Sequence, residues 1–255
     1  MENFHKLYFE ECPSKYEECS IEGDQMFPFR VFISLTTSPK RLHALYSVLP
    51  SLHLPCVYFI VLNIPDSFKG ETYNEMQLIQ LCKDFPQLYI NHFGSDIGPL
   101  SKLVPTIKVA DKQTDVIITV DDDTLYTSDV IIDLCKLHVQ KPNVVISHQA
   151  GPNIWNLKLT NVLGFQGVLY PVNVLNAAVV NTMLEYNRIP QCKIHDDMTI
   201  TMALYKHNIQ IIGNEVNKRP CQVSLGFEDP NALWKLGNHY WKHPSCVWRI
   251  WGFLS

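Results

Sequence analysis

The sequence has no CxxC pair, no strong excess of charge of either sign, and no apolar run of the roughly 18 residues that a membrane-spanning helix needs. Each absence removes a class. Without paired cysteine spacing, the eight cysteines (Cys12, Cys19, Cys56, Cys82, Cys135, Cys192, Cys221 and Cys246) do not describe a structural zinc site. They read as reduced thiols, several of them in the core of a cytoplasmic protein, because disulfides would require export. The opening residues MENFHKLYFEEC have neither a basic start nor an apolar stretch, so no signal peptide is expected. The net charge of −4 lacks the basic surplus of a nucleic-acid binder, and no nucleic-acid partner is expected. An acidic chain that handles an anionic substrate needs local cations or a metal.

What is present is a globular composition. Of 255 residues, 46% are hydrophobic and 18% charged, which is enough to bury one substantial core. Apolar strands alternate with helical patterns. RVFISLTT, VYFIVLNIP, LYINHF, DVIITV and NVVISHQ read as buried strands. SPKRLHALYSVLPSL reads as a helix with Ser38 at its N-cap and Pro39 at N1. GETYNEMQLIQLCKDF is a second helix, PLSKLVPTIKVA begins a third, and SDVIIDLCKLHVQK follows with Ser128 as cap. Further on, VLGFQGVLYPVNVL reads as strand, turn and strand, DDMTITMALYKHN as a helix and IQIIGN as a short strand. This alternation predicts an α/β fold with a mostly parallel central sheet flanked by helices. The expected organisation is one domain over 1–255, with an arm at 1–29, one half at 30–150, and an elaborated half with the tail at 151–255.

One stretch stands out. VIITVDDDTLY drives a core strand straight into Asp121, Asp122 and Asp123. Ligands of open α/β sheets bind at the carboxyl ends of strands. Side chains alternate along an extended chain, so Asp121 and Asp123 are expected on one side and Asp122 on the other. Two such carboxylates repel unless a cation lies between them. A hard divalent ion, Mn²⁺ or Mg²⁺, takes oxygen ligands and accepts one or two carboxylates together with substrate phosphates. An EF-hand is excluded because its glycine and terminal glutamate positions hold Tyr126 and Ile132.

Four segments in order resemble a GT-A glycosyltransferase, in particular small sugar transferases of bacteria and large DNA viruses. They are ISLTTSPKRL, DIGPLSKLVPTI, IITVDDDTLY and HDDMTITMALYKHNI, and they span about Arg30 to Gly213. The resemblance implies a nucleotide-binding half at 30–150 and an acceptor-binding half at 151–255. It implies a DxD motif holding a divalent metal on the donor diphosphate, with Asp123 as direct ligand, Asp121 as ligand or ribose contact, and Asp122 in support. It places the catalytic base at Asp197, with Asp196 as its neighbour and one of the two free to cap the helix. Thr36 and Thr37 would hold the base or ribose, and Arg41 would reach the phosphates. Asp96 and Lys102 flank IGPLS, with Lys102 a phosphate or ribose contact. Gly164 and Gly167 would lie near the donor-sugar face, either for close backbone approach or as a plain turn. A tail histidine, His239 or His243, would complete the metal shell, while Trp234, Trp241, Trp248 and Trp251 pack the tail or stack on sugar.

The expected partners are therefore a nucleotide-diphospho-sugar, with uridine the first choice of base, and a hydroxyl acceptor on a glycan, lipid or protein. Inversion follows if the base assignment holds. A nucleotidyltransferase is the second reading, disfavoured because TTSPKR contains no glycine for a phosphate loop. A non-catalytic nucleotide-sugar-binding domain is the third.

Overall fold

The computed structural model describes residues 20–21, 25–149, 160–213, 246 and 249–250. The expectations for the arm before residue 20, for His239 and His243, and for the tail tryptophans fall outside the described residues.

After a two-residue antiparallel pairing of Ser20–Ile21 with Gln25–Met26, the main sheet begins. Strand β1 (Val31–Thr36) leads through a 3-10 turn at Pro39–Ala44 into helix α1 (Leu45–Leu52). Ser38 stands at the N-cap of that turn with Pro39 following it, although its side chain makes no capping bond. Strand β2 (Val57–Pro65), helix α2 (Glu75–Asp84) and strand β3 (Leu88–Phe93) continue the alternation. The Asn74 side chain caps α2 by accepting from the Gln77 N–H at 3.2 Å. The expected helix at PLSKLVPTIKVA is instead two short 3-10 stretches, Gly98–Lys102 and Pro105–Lys108. Pro99 and Pro105 each open one and cannot sit inside a continuous helix.

Strand β4 (Val116–Thr119) precedes helix α3 (Ser128–Gln140), whose N-cap is Thr127, one residue before the expected Ser128. Strand β5 (Val145–Ser147) follows. The predicted strand–turn–strand resolves into one strand, β6 (Val168–Pro171), between 3-10 turns at Gly164–Gln166 and Val172–Val174. Helix α4 (Ala177–Asn187) was not anticipated. Helix α5 (Asp196–Lys206) and strand β7 (Ile211–Gly213) complete the described elements.

The seven-stranded sheet runs β3-β2-β1-β4-β6-β5-β7. Every pairing is parallel except those of β6, which lies antiparallel to both β4 and β5. Alternation along each strand builds two cores. Ile33, Leu35, Ile60, Leu62 and Ile118 face α1, α2 and α3. Phe32, Val61, Ile117 and Tyr170 face α4 and α5. These are fully or almost fully buried, each stabilising the fold by roughly 1.5–3 kcal/mol relative to exposure.

Cys192 and Cys246 form a disulfide, with Cα atoms 4.8 Å apart across a sequence separation of 54. The reading of all eight cysteines as thiols is corrected for this pair. Their positions are remote in sequence, so only the fold brings them together. Cys56 and Cys135 are buried thiols, as expected of core cysteines. No helix among the described residues is long and apolar enough to cross a membrane.

Candidate active site

The parallel strands β1, β2, β3 and β4 all end at one edge of the sheet. The reversed strand β6 starts there, because Val168 pairs with Thr119, the last residue of β4. The turn Gly164–Gln166 is thereby delivered to the same edge as the Asp121–Asp123 run. Helix α5 opens there too, with Asp196 and Asp197 in its first turn.

The acidic run does not keep strand alternation. β4 stops at Thr119, and the chain turns through Asp122 and Asp123. Asp122 and Asp123 consequently share one guanidinium: Arg41 Nη2 lies 2.9 Å from Asp122 Oδ1 and 2.9 Å from Asp123 Oδ2. Asp121 diverges to Lys102, whose Nζ is 2.9 Å from its Oδ1. The expectation that Asp121 and Asp123 form one face with Asp122 opposite is corrected on this point. Two further bonds fix the turn. The Thr37 hydroxyl donates to Asp122 Oδ2 at 2.5 Å. The Tyr126 hydroxyl accepts from the Asp121 N–H at 2.9 Å and donates to the Phe165 carbonyl at 3.0 Å.

Lys102 reaches both halves of the chain. Its Nζ also lies 2.8 Å from Asp196 Oδ2. Asp197 Oδ1 accepts from the Gly164 N–H at 2.9 Å. Thr36 donates to the Asn63 carbonyl at 2.8 Å, and Asp96 accepts from the Gly98 N–H at 2.7 Å, closing a local turn. The structure thus gathers Thr37, Arg41, Lys102, Asp121, Asp122, Asp123, Asp196 and Asp197 into one connected set. Thr36 and Asp96 are engaged locally beside it.

Among the described residues, charge in this set is unbalanced. Asp121, Asp122, Asp123, Asp196 and Asp197 meet two cations, Arg41 and Lys102. Burial pushes the Asp122 carboxyl up to about 7, against the pull of Arg41 and Thr37. Burial and the neighbouring Asp196 raise Asp197, against Lys102. Burial alone would depress Lys102, but Asp121, Asp196 and Asp197 outweigh it and hold the ammonium firmly protonated. Perturbed carboxylates in a polar cleft are a common mark of a functional site. Among the described residues, no three His, Cys, Asp or Glu side chains are grouped so as to hold a metal by themselves.

The sequence reading missed the layer beneath. Asn63 donates to the Thr106 hydroxyl at 2.7 Å and the Ser34 hydroxyl at 3.0 Å, and it accepts from Asn91 at 2.7 Å. The Ser34 hydroxyl also donates to the Lys102 carbonyl. A signal was present: Asn63 interrupts the apolar strand VYFIVLNIP, and a buried amide needs partners. The role of Tyr126 had no such local mark.

Fold and site together define a mixed α/β protein with an acidic, partly paired cluster at the carboxyl edge of its sheet. No protein-family model and no curated protein match the chain. Solved structures do. One is the 2-C-methyl-D-erythritol 4-phosphate cytidylyltransferase IspD of Francisella tularensis, at 12% identity and TM-score 0.47, covering 72% of this chain and 90% of that one. Another is S. aureus TarS 1–349, at 15% identity and TM-score 0.45, covering 75% of this chain and 59% of that one. The same protein in complex with UDP-GlcNAc gives 15% identity and TM-score 0.48, covering 75% and 57%. The strand order itself, rather than these distant likenesses, defines the fold.

Proposed function

We propose that the chain is a metal-dependent glycosyltransferase of the GT-A type. It moves a sugar from a nucleotide-diphospho-sugar, with a UDP-sugar the first choice, to a hydroxyl of a glycan, lipid or protein acceptor, with inversion. The observation that carries this reading is the meeting of two carboxylate sets from different halves of the chain at the carboxyl edge of the sheet, joined through one ammonium at 2.9 and 2.8 Å. A group-transfer site needs a place for the leaving diphosphate and a base for the acceptor, side by side.

The residues present fit a hard divalent ion. Asp121 and Asp123 offer only oxygen donors, and their side chains keep 31% and 20% exposure while paired to Lys102 and Arg41. Mg²⁺ or Mn²⁺ needs one or two carboxylates, with phosphate and water supplying the rest. Bound there, the ion would act as a Lewis acid that tolerates charge on the leaving diphosphate. His239 and His243 stay candidates for a further ligand. Arg41 holds Asp122 and Asp123 in place. Asp197, with one oxygen fixed by Gly164 and its proton affinity raised by burial, takes the acceptor proton. Asp196, ion-paired to Lys102, is its neighbour rather than the base. Thr36, Thr37 and Asp96 stand where β1 and β3 end, on the side where base and ribose would lie.

The test is incubation with a panel of nucleotide-sugars and Mn²⁺, following nucleotide release. One donor should turn over, chelation should stop it, and Asp123→Asn should abolish it. Metal-dependent binding of a nucleotide-sugar without turnover would reduce the protein to a binding domain. Absence of any binding would end the reading.

A further inference from the structure

We propose that Lys102 is a positioning residue: its buried ammonium ties Asp121, just beyond β4, to Asp196, in the first turn of α5, and so sets the spacing between the donor-side carboxylates and the base. This rests on the transferase reading above. It also departs from the expectation that Lys102 touches phosphate or ribose.

Three observations converge. First, the Lys102 side chain is only 8% exposed, and its Nζ sits 2.9 Å from Asp121 and 2.8 Å from Asp196. An ammonium has three donors. One donates to Asp121, and the charge also pairs with Asp196 Oδ2, which itself makes no hydrogen bond among the described residues. Second, Gly164 closes over the remaining side. A Cβ there would lie 2.6 Å from Lys102 Nζ and 2.7 Å from Asp197 Oδ1, so any larger residue must push one of these side-chain ends aside. Among the described residues, the ammonium is almost fully enclosed by protein. Third, the lysine's own backbone is pinned from below, where the Ser34 hydroxyl donates to its carbonyl within the Asn63 and Thr106 network. A flexible four-carbon stem anchored at both ends behaves as a strut.

The consequence is mechanical. Asp121 and Asp196 cannot move independently, and Asp197, adjacent to Asp196 and held by Gly164, moves with them. Misplacing a catalytic group by about 1 Å can cost roughly 100-fold in rate. Loss of the strut should therefore fall on kcat and leave donor KM nearly unchanged. Loss of a phosphate contact would do the reverse.

The experiment is a double-mutant cycle of Lys102→Met and Asp196→Asn, read by steady-state kinetics and by thermal melting of the full chain. Lys102→Met should lower kcat by about 100-fold with donor KM within about threefold. It should also lower the melting temperature by several degrees, at roughly 2–4 °C for each kcal/mol in a domain of this size. Adding Asp196→Asn should recover part of the melting loss, since it removes one of the two carboxylates left unpaired. If Lys102→Met alone does not fold, the double variant carries the kinetic question. A tenfold or larger rise in donor KM at preserved kcat would overturn the proposal in favour of a phosphate contact. Strictly additive melting shifts would show that no tie exists. If the wild type turns over no donor at all, the transferase reading fails, and the melting cycle still decides the tie on its own.

Discussion

Both ends of β4 carry ion clusters, and they are built on different plans. At the amino end, buried Asp115 accepts from Arg30 Nε at 2.9 Å, from Arg30 Nη2 at 2.5 Å and from the Lys112 N–H at 2.9 Å. Asp111 shares that guanidinium and is 71% exposed, so water serves its remaining oxygens. The guanidinium also lies 5.2 and 5.0 Å from the ring centres of Phe32 and Tyr58. This is a closed bracket between the chain entering β1 and the chain entering β4. At the carboxyl end, five carboxylates share two cations among the described residues, and Asp122 and Asp197 are raised by burial. Among the described residues, the first cluster is satisfied and the second keeps unbalanced negative charge. Completeness of pairing, rather than the number of charged residues, separates the structural cluster from the candidate site.

The sharpest way to break this comparison is to remove a charge from each end. Asp197→Asn keeps the shape but cannot take a proton, and kcat should fall by about 10²–10⁴-fold. Calorimetric titration with the preferred sugar nucleotide should show its binding retained. Normal turnover in this variant would remove Asp197 from the mechanism. At the other end, Asp115→Ala should leave kcat/KM unchanged while destabilising the fold by about 2–3 kcal/mol, the worth of hydrogen bonds to a charged group plus an unpaired Arg30. Urea unfolding reads this directly. A large loss of turnover without loss of stability would show that the amino-end cluster is more than a bracket.

A smaller effect sharpens the same contrast from the backbone side. Gly164→Ala inserts a methyl group against Lys102 Nζ and Asp197 Oδ1. Overpacking of this kind costs about 1–3 kcal/mol. Part of that cost should appear as lost kcat, because the clash displaces the proposed base. Gly94→Ala, where an added Cβ meets nothing within 4 Å, is the matched control and should be near neutral. Equal behaviour of the two variants would mean that the turn at Gly164 does not bear on Asp197.

The regular half of the molecule was legible because its signals are local. Apolar runs bounded by turn residues mark β1, β2, β3 and β4, and Ser38 with Pro39 marks the start of the first helical segment. Helix α4 escaped although Asn176 caps it through the Ala178 and Val179 N–H groups. Its buried face mixes Thr182 and Asn187 with Val179, Met183 and Tyr186, which dilutes the apolar stripe. The reversed direction of β6 has no local signature, since a buried strand reads alike either way. At the site, the acidic run and the Asp196–Asp197 pair could be read from sequence. Their partners could not. Arg41 and Lys102 arrive from other loops, and the turn at Asp122 breaks the alternation that the sequence reading assumed.

The smallest expected effect lies away from both clusters, at His138 in the last turn of α3. Its ring packs edge-on against Phe29 with centroids 4.8 Å apart, and its Nδ1 has no hydrogen-bond partner among the described residues. A helix C-terminus favours a charged imidazole, yet burial dominates and pushes its pKa down to about 4. The unfolded chain therefore binds a proton that the folded chain refuses. Stability is complete above the ordinary histidine range and is lost as pH falls from about 6.5 toward 4. Between pH 7 and 5.5 this residue should cost about 1 kcal/mol of stability, measured by urea unfolding at each pH. His138→Phe should flatten that slope while the carboxylates of the site continue to titrate. An unchanged slope in the variant would assign the acid sensitivity to another buried imidazole such as His148, whose pKa burial also lowers, because the raised Asp122 and Asp197 carboxyls add stability as pH falls.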